Sequence, residues 1–150
     1  MKTQNQIKDY VRQILLTKRF AVLATESESQ PYTSFIAITA KDDLLELYFA
    51  TYRNTRKYAN LKHNERVSIL FEYRNDNENI RQEITIVTAF GKAKELSSAD
   101  SDAIRKAHLL QHPELNAFLQ SSDCSIFQVK VEAYQLVLGI DDIYWWKNIS

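Results

Sequence analysis

The sequence predicts a mainly β (α+β) protein: an antiparallel barrel of six or seven strands with peripheral helices, in a single domain of residues 1–150. Several segments alternate apolar and polar residues with the period of two that a half-buried strand requires. Polar turns, mostly of hairpin length, join these segments and favour antiparallel neighbours. A chain of 150 residues is also long enough to bury a core within one domain.

The individual elements follow from the spacing of apolar residues. Four apolar residues recur at helical intervals near the N-terminus and predict an amphipathic helix over residues 4–18. The predicted strands span residues 20–25, 32–40, 45–52, 66–73, 80 or 83 to 95, and 125–140, the last as two strands or one bent strand. A polar loop is predicted over residues 74–79. A short helix ends near Leu61, and another covers residues 97–120 with a break or restart at Pro113. We expect Gly91 at a bulge or a close approach of two backbones.

Composition excludes several classes of protein. The formal net charge is zero, which argues against a general binder of nucleic acid or of membrane surfaces. No apolar stretch approaches the length of a membrane span, and residues 1–8 are polar, so we expect a cytoplasmic protein. The single cysteine excludes an intrachain disulfide and a cysteine cluster for metal. With two glycines, the chain has no glycine-rich phosphate loop, so phosphate recognition must come from side chains and a helix end.

The basic segment Arg53-Asn54-Thr55-Arg56-Lys57 is the main candidate for a binding site. It follows a predicted strand and opens a predicted helix, where acidic residues are normally favoured. Three cations and no acid at that position are favourable if an anion such as phosphate binds there. The alternative is an ordinary solvated turn in which Asn54 or Thr55 caps the helix.

The order of segments around this basic run resembles a known family. The relevant segments are Tyr48-Phe49-Ala50-Thr51, Thr55-Arg56-Lys57, Asn60-Leu61 and Val67-Ser68-Ile69-Leu70-Phe71, flanked by Phe20 to Thr25 with Gln30-Pro31 and by Ala89 to Ser97. Together they resemble the flavin-binding core of the pyridoxamine 5′-phosphate oxidase family over roughly residues 20–100.

The resemblance implies a split β-barrel homodimer that binds FMN at the subunit interface. It implies that Arg56 and Lys57 hold the FMN phosphate, with Thr55 and Arg53 assisting. The other flavin contacts that it suggests are Thr33, Ser34, Phe35, Ala50 and Thr51. Trp145 and Trp146 face opposite sides of a strand, so we expect one to pack on the core and the other, Trp146, to cover the flavin or the dimer partner. The substrate-binding residues of the vitamin B6 oxidases themselves are missing, so the chain resembles a short, divergent member.

The function that this resemblance implies is an FMN-dependent oxidoreductase. Electrons or hydride would pass between FMN and an unassigned small molecule or a reductant such as NAD(P)H, and no residue is assigned as catalytic. One alternative is a non-catalytic protein of the same fold that holds FMN, deazaflavin or haem. Another is a small barrel that binds single-stranded nucleic acid through the basic run and nearby tyrosines, which the neutral net charge disfavours.

Two histidines are candidate metal ligands. His108 and His112 are four residues apart and so share a helix face. No third ligand is evident in the sequence, and Pro113 follows directly. We expect ordinary surface or helix-end histidines and no metal site.

Overall fold

The computed structural model describes residues 1–74 and 84–147. Within them lie four α-helices, one short 3₁₀ helix and eight strands. The helices are α1 (Gln4–Thr17), α2 (Arg56–His63), α3 (Ser98–Gln111) and α4 (Asn116–Gln120), with the 3₁₀ helix at Pro113–Leu115. The strands are β1 (Phe20–Ser27), β2 (Gln30–Ala37), β3 (Thr39–Ala40), β4 (Glu46–Tyr52), β5 (Arg66–Arg74), β6 (Ile84–Glu95), β7 (Cys124–Leu138) and β8 (Asp142–Lys147).

The strands form one antiparallel sheet that curls round on itself. Their order is β2-β1-β5-β6-β7-β4-β3. Strands β2 and β3 therefore lie at opposite ends of this order, although only Ile38 separates them in the chain. The two ends of the sheet must meet at Ile38, and the sheet curls into a barrel. The predicted antiparallel split barrel is confirmed, except that its second strand is divided at Ile38.

The split in the barrel arises along β7. One edge of β7 pairs with β6, whereas its other edge pairs with β4 over its first half and with β8 over its second half. The register between β6 and β7 shifts at Gly91. A Cβ atom at Gly91 would lie 2.2 Å from the carbonyl oxygen of Lys130, so only glycine fits there. The predicted bulge and close approach at Gly91 are confirmed.

Helix α1 supplies part of the core. Thr3 caps it in a reciprocal pair of hydrogen bonds with Gln6, so two N-terminal backbone donors are satisfied. The apolar face that the sequence predicts is buried against the sheet interior. The loop predicted over residues 74–79 is wrong at Arg74, which ends β5. Its other residues and the predicted start of the following strand lie outside the described residues.

Helices α3 and α4 pack on a different face of the sheet. Ser97 caps α3, and Pro113 separates it from the short helices that follow, as the sequence predicts. A second apolar cluster joins these helices to β4 and β7 through Leu119, Cys124 and Ile126, with Ala50 at its margin. This placement leaves a cavity between α3, α4, the end of β2 and the start of α2.

Candidate functional site

The cavity beside β4 has a volume of about 280 Å³. Five residues that the sequence identifies as cofactor contacts line it: Phe35, Ala50, Thr51, Thr55 and Lys57. Their side chains come from β2, β4 and the start of α2. The fold therefore brings half of the predicted site residues to one place.

Thr55 opens α2 at the edge of this cavity. Its hydroxyl accepts a hydrogen bond from the backbone N–H of Tyr58 at 3.3 Å, and so acts as the N-cap. The same hydroxyl lies 2.9 Å from that of Thr51. The N–H of Ala59 bonds to the carbonyl of Thr55, which leaves the N–H groups of Arg56 and Lys57 without partners inside the helix.

Lys57 carries an uncompensated charge into the cavity. The side chain is half-buried, and burial lowers its pKa, with no carboxylate of the described residues acting against that shift. No acidic residue lies in the first turn of α2. An ammonium group and two free backbone donors form a donor set suited to a phosphate. The hydroxyls of Thr51 and Thr55 lie beside this set, where each donates to the carbonyl of Tyr52.

Arg56 and Arg53 take different positions. Arg56 is exposed, and its Nε donates to Oδ1 of Asn60 at 3.3 Å. The Nη1 of Arg53 instead donates to the carbonyl of Ser122 at 2.9 Å, and its Nε lies 3.7 Å from a carboxylate oxygen of Glu95. Neither arginine lines the cavity, and Arg53 links the start of α2 to β6 and to the loop before β7.

The remaining predicted contacts lie outside the cavity lining. Thr33 is exposed on β2, and the hydroxyl of the neighbouring Ser34 is buried without a partner among the described residues. Trp146 is half-buried and stacks on Tyr134, with ring centroids 5.4 Å apart.

Two buried histidines are the feature that the sequence analysis missed. His108 is 1% exposed and lines the cavity, while His112 is 0% exposed. Both histidines do lie at a helix end, His108 in the last turn of α3 and His112 at its C-cap, but neither side chain is on the surface. His108 follows Ile104 by four residues on the buried stripe of α3, and this spacing was a usable signal of burial. No group of three or more metal-ligating side chains occurs in the described part of the chain.

Comparison with known proteins shows the family. The model of a family described as pyridoxamine 5′-phosphate oxidase matches residues 7–137. The chain belongs to the pyridoxamine 5′-phosphate oxidase family. The resemblance predicted from the basic run and its neighbouring strands is thereby confirmed. No curated protein matches the sequence significantly.

Solved structures with the fold of this pyridoxamine 5′-phosphate oxidase family member bind different cofactors, according to their descriptions. A haem-binding protein from Mycobacterium smegmatis has a TM-score of 0.83 at 20% identity, over 98% of this chain and 59% of that protein. An FAD-binding protein from Mesorhizobium loti gives a TM-score of 0.69 at 17% identity, over 83% of this chain and 88% of the other. The haem storage protein of Vibrio cholerae gives a TM-score of 0.67 at 17% identity, over 87% of this chain and 93% of that protein.

These likenesses show that the fold is that of the family. The chain spans only about three fifths of the Mycobacterium smegmatis protein, whereas it spans most of the other two. Among residues 1–74 and 84–147 of this family member, no helix combines the length and apolar character of a transmembrane span.

Proposed function

We propose that this protein binds FMN, with the phosphate held at the start of α2. The observation that carries the proposal is the half-buried Lys57, which lines the cavity beside two free backbone donors and meets no carboxylate of the described residues. Thr51 and Thr55 add hydroxyl groups at the same place. Arg56 is one residue away and exposed; its Nε donates to Asn60, which leaves the remaining N–H groups of the guanidinium for a phosphate.

The rest of the cavity suits the ring and the ribityl chain of FMN. Ala50 offers a small side chain on β4, so a planar ring can approach the strand. Phe35 stacks on Phe20 with centroids 5.4 Å apart, and both rings line the cavity. A mostly apolar cleft with a few polar groups is the usual form of a cofactor site.

A double variant tests the phosphate contacts. Arg56→Ala combined with Lys57→Ala removes two charge-assisted contacts, each worth about 1.5–3 kcal/mol. We expect FMN affinity to fall at least about 100-fold, while the affinity for riboflavin, which lacks the phosphate, stays within about threefold. Lys62→Ala is the matched control, because it removes a cation from the last turn of the same helix. Unchanged FMN affinity in the double variant would refute the proposal.

We further propose that the flavoprotein is an oxidoreductase. Bound FMN supplies the electron or hydride transfer, and the chain supplies phosphate binding, ring orientation and access for a small molecule. Anaerobic mixing with NADH or NADPH tests turnover by loss of the flavin absorbance. An absorbance unaffected by either nucleotide and by other reductants would favour a storage or sensing role.

A second copy of the chain is the partner that we propose. The outward face of β1, β2 and β5 carries a row of apolar residues, because Val22 pairs with both Phe35 and Leu70. Phe35 is 70% exposed and Leu70 is 39% exposed. An exposed apolar face of this kind favours association. Since Phe35 also lines the cavity, a homodimer through this face places the cofactor next to the subunit interface.

Haem is the second candidate ligand, and His108 is the observation that favours it. Its Nε2 is buried without a partner among the described residues, and a histidine nitrogen is a common haem ligand. The absorption spectrum of the purified protein separates the two candidates. A flavin spectrum supports the first proposal, and a Soret band supports haem.

A further inference from the structure

His108 and His112 are held in a specific arrangement at the end of α3. The Nδ1 of His108 lies 2.7 Å from the hydroxyl of Thr39, and the Nε2 of His112 donates to the carbonyl of Ile38 at 2.9 Å. Each ring therefore has one nitrogen fixed by the junction between β2 and β3. The other nitrogen of each, Nε2 of His108 and Nδ1 of His112, is buried with no partner in the described part of the chain. A buried polar atom left unpaired is costly and calls for an explanation.

The two unpaired nitrogens have different surroundings. Nδ1 of His112 lies 4.0 Å from a carboxylate oxygen of Glu114, and His112 does not line the cavity. His108 does line it, and Nε2 is the only nitrogen of its ring without a partner. Of the two rings, only that of His108 therefore borders a molecule bound in the cavity.

The spacing within the cavity indicates the kind of molecule that reaches both His108 and Lys57. Thr39, which fixes His108, pairs with Tyr48 on β4, and Thr51 lies three residues further along that strand. At a rise of 3.3 Å per residue, Tyr48 and Thr51 are about 10 Å apart along β4. The hydroxyl of Thr51 lies 2.9 Å from that of Thr55 at the start of α2. The imidazole of His108 and the proposed phosphate-binding donors are therefore beside two different positions along β4. Inorganic phosphate is too small to contact both.

We propose that Nε2 of His108 hydrogen-bonds to a polar ring atom of a phosphorylated aromatic ligand whose phosphate lies at the start of α2. This inference rests on the proposed FMN function and assigns a residue to the ring end of that ligand. Thr39 is a positioning residue, since its hydroxyl fixes the imidazole. Burial, with a smaller effect from His112, lowers the pKa of His108 to about 4, so the ring is neutral at pH 7. A neutral imidazole donates or accepts at Nε2 according to its tautomer, and a flavin ring offers both kinds of partner.

Binding of FMN and riboflavin to His108→Phe tests the inference. Phenylalanine keeps a ring but removes the hydrogen bond, so we expect both affinities to fall about 5- to 10-fold. Loss of the phosphate contacts at Arg56 and Lys57 is expected to weaken the binding of FMN but not of riboflavin. An equal loss of affinity for the two ligands therefore indicates a contact with the flavin ring. His108→Gln, which retains hydrogen-bonding groups, is expected to recover part of the affinity. His63→Gln, an exposed histidine on α2, is the control and should bind both ligands as the wild type does.

A second measurement on the wild-type protein guards against a variant that fails to fold. With ¹⁵N-labelled histidine, FMN should shift the Nε2 resonance of His108, and inorganic phosphate should leave it in place. Wild-type binding of FMN with no shift at His108 and full affinity in His108→Phe overturns this inference alone. No binding of FMN by the wild type overturns both the inference and the proposed function. Coordination of Nε2 by added Zn²⁺ or by haem iron would also overturn it.

Discussion

Stability between pH 5 and pH 7 should depend on His108. Burial lowers its pKa in the folded protein to about 4, against about 6.5 in the unfolded chain. Between these values the unfolded chain binds a proton that the folded protein does not, so stability rises with pH. The contribution is fully present above pH 6.5 and is lost as the pH falls toward 4.

The expected magnitude follows from these two values. The full difference of about 2.5 pKa units corresponds to about 3 kcal/mol, of which about 2 kcal/mol is lost between pH 7 and pH 5. This window lies above the ordinary pKa of carboxyl groups, so acidic side chains contribute little to the change.

Urea unfolding of wild type and His108→Gln at pH 7 and pH 5 measures this contribution. The wild type should lose about 2 kcal/mol more unfolding free energy between the two pH values than the variant, because glutamine does not titrate. His63→Gln, which changes an exposed histidine, is the control and should keep most of the wild-type pH dependence. Equal pH dependence in wild type and His108→Gln would refute the assignment of a buried, neutral imidazole.

Three further substitutions test other features. Gly91→Ala places a methyl group 2.2 Å from the carbonyl oxygen of Lys130, and thermal unfolding should show a loss of several kcal/mol or no folded protein; wild-type stability would contradict the close approach. Thr55→Ala removes the N-cap of α2, which should cost about 1 kcal/mol in urea unfolding and also weaken FMN binding. Leu70→Glu puts a charge on the outward apolar face, and sedimentation should show monomers in place of the dimer that we propose for the wild type; a dimeric variant would place the interface elsewhere.

Much of the barrel could be predicted because its signals are local. Alternation along β5 and β6 indicates which side chains face the core, and the structure buries those positions. The sequence limits the N-cap of α2 to Asn54 or Thr55, of which the structure shows Thr55, and the close approach at Gly91 likewise follows from a single residue in its local context. The division of the second strand at Ile38 has no such signal, because neither proline nor glycine marks it.

The candidate site was predicted only in part because some of its contacts join distant segments. His108 is fixed by Thr39, 69 residues earlier in the chain, and its burial depends on that contact. Arg53 pairs with Glu95 and with the loop before β7, which the basic run alone does not reveal. Local charge indicates the end of the cavity where we propose that phosphate binds, whereas the place of the His108 imidazole is evident only from the folded chain.

The junction at Ile38 has a mechanical consequence. This residue joins the first and last strands of the curled sheet, and its carbonyl accepts from His112 while the adjacent Thr39 fixes His108. A chain cut at this junction, for example in a circular permutant with new termini there, would open the barrel seam and free both histidines in one step. A cut at the two-residue turn between β1 and β2 would disturb neither. Cofactor retention and barrel integrity should therefore fail together in the first permutant and survive together in the second.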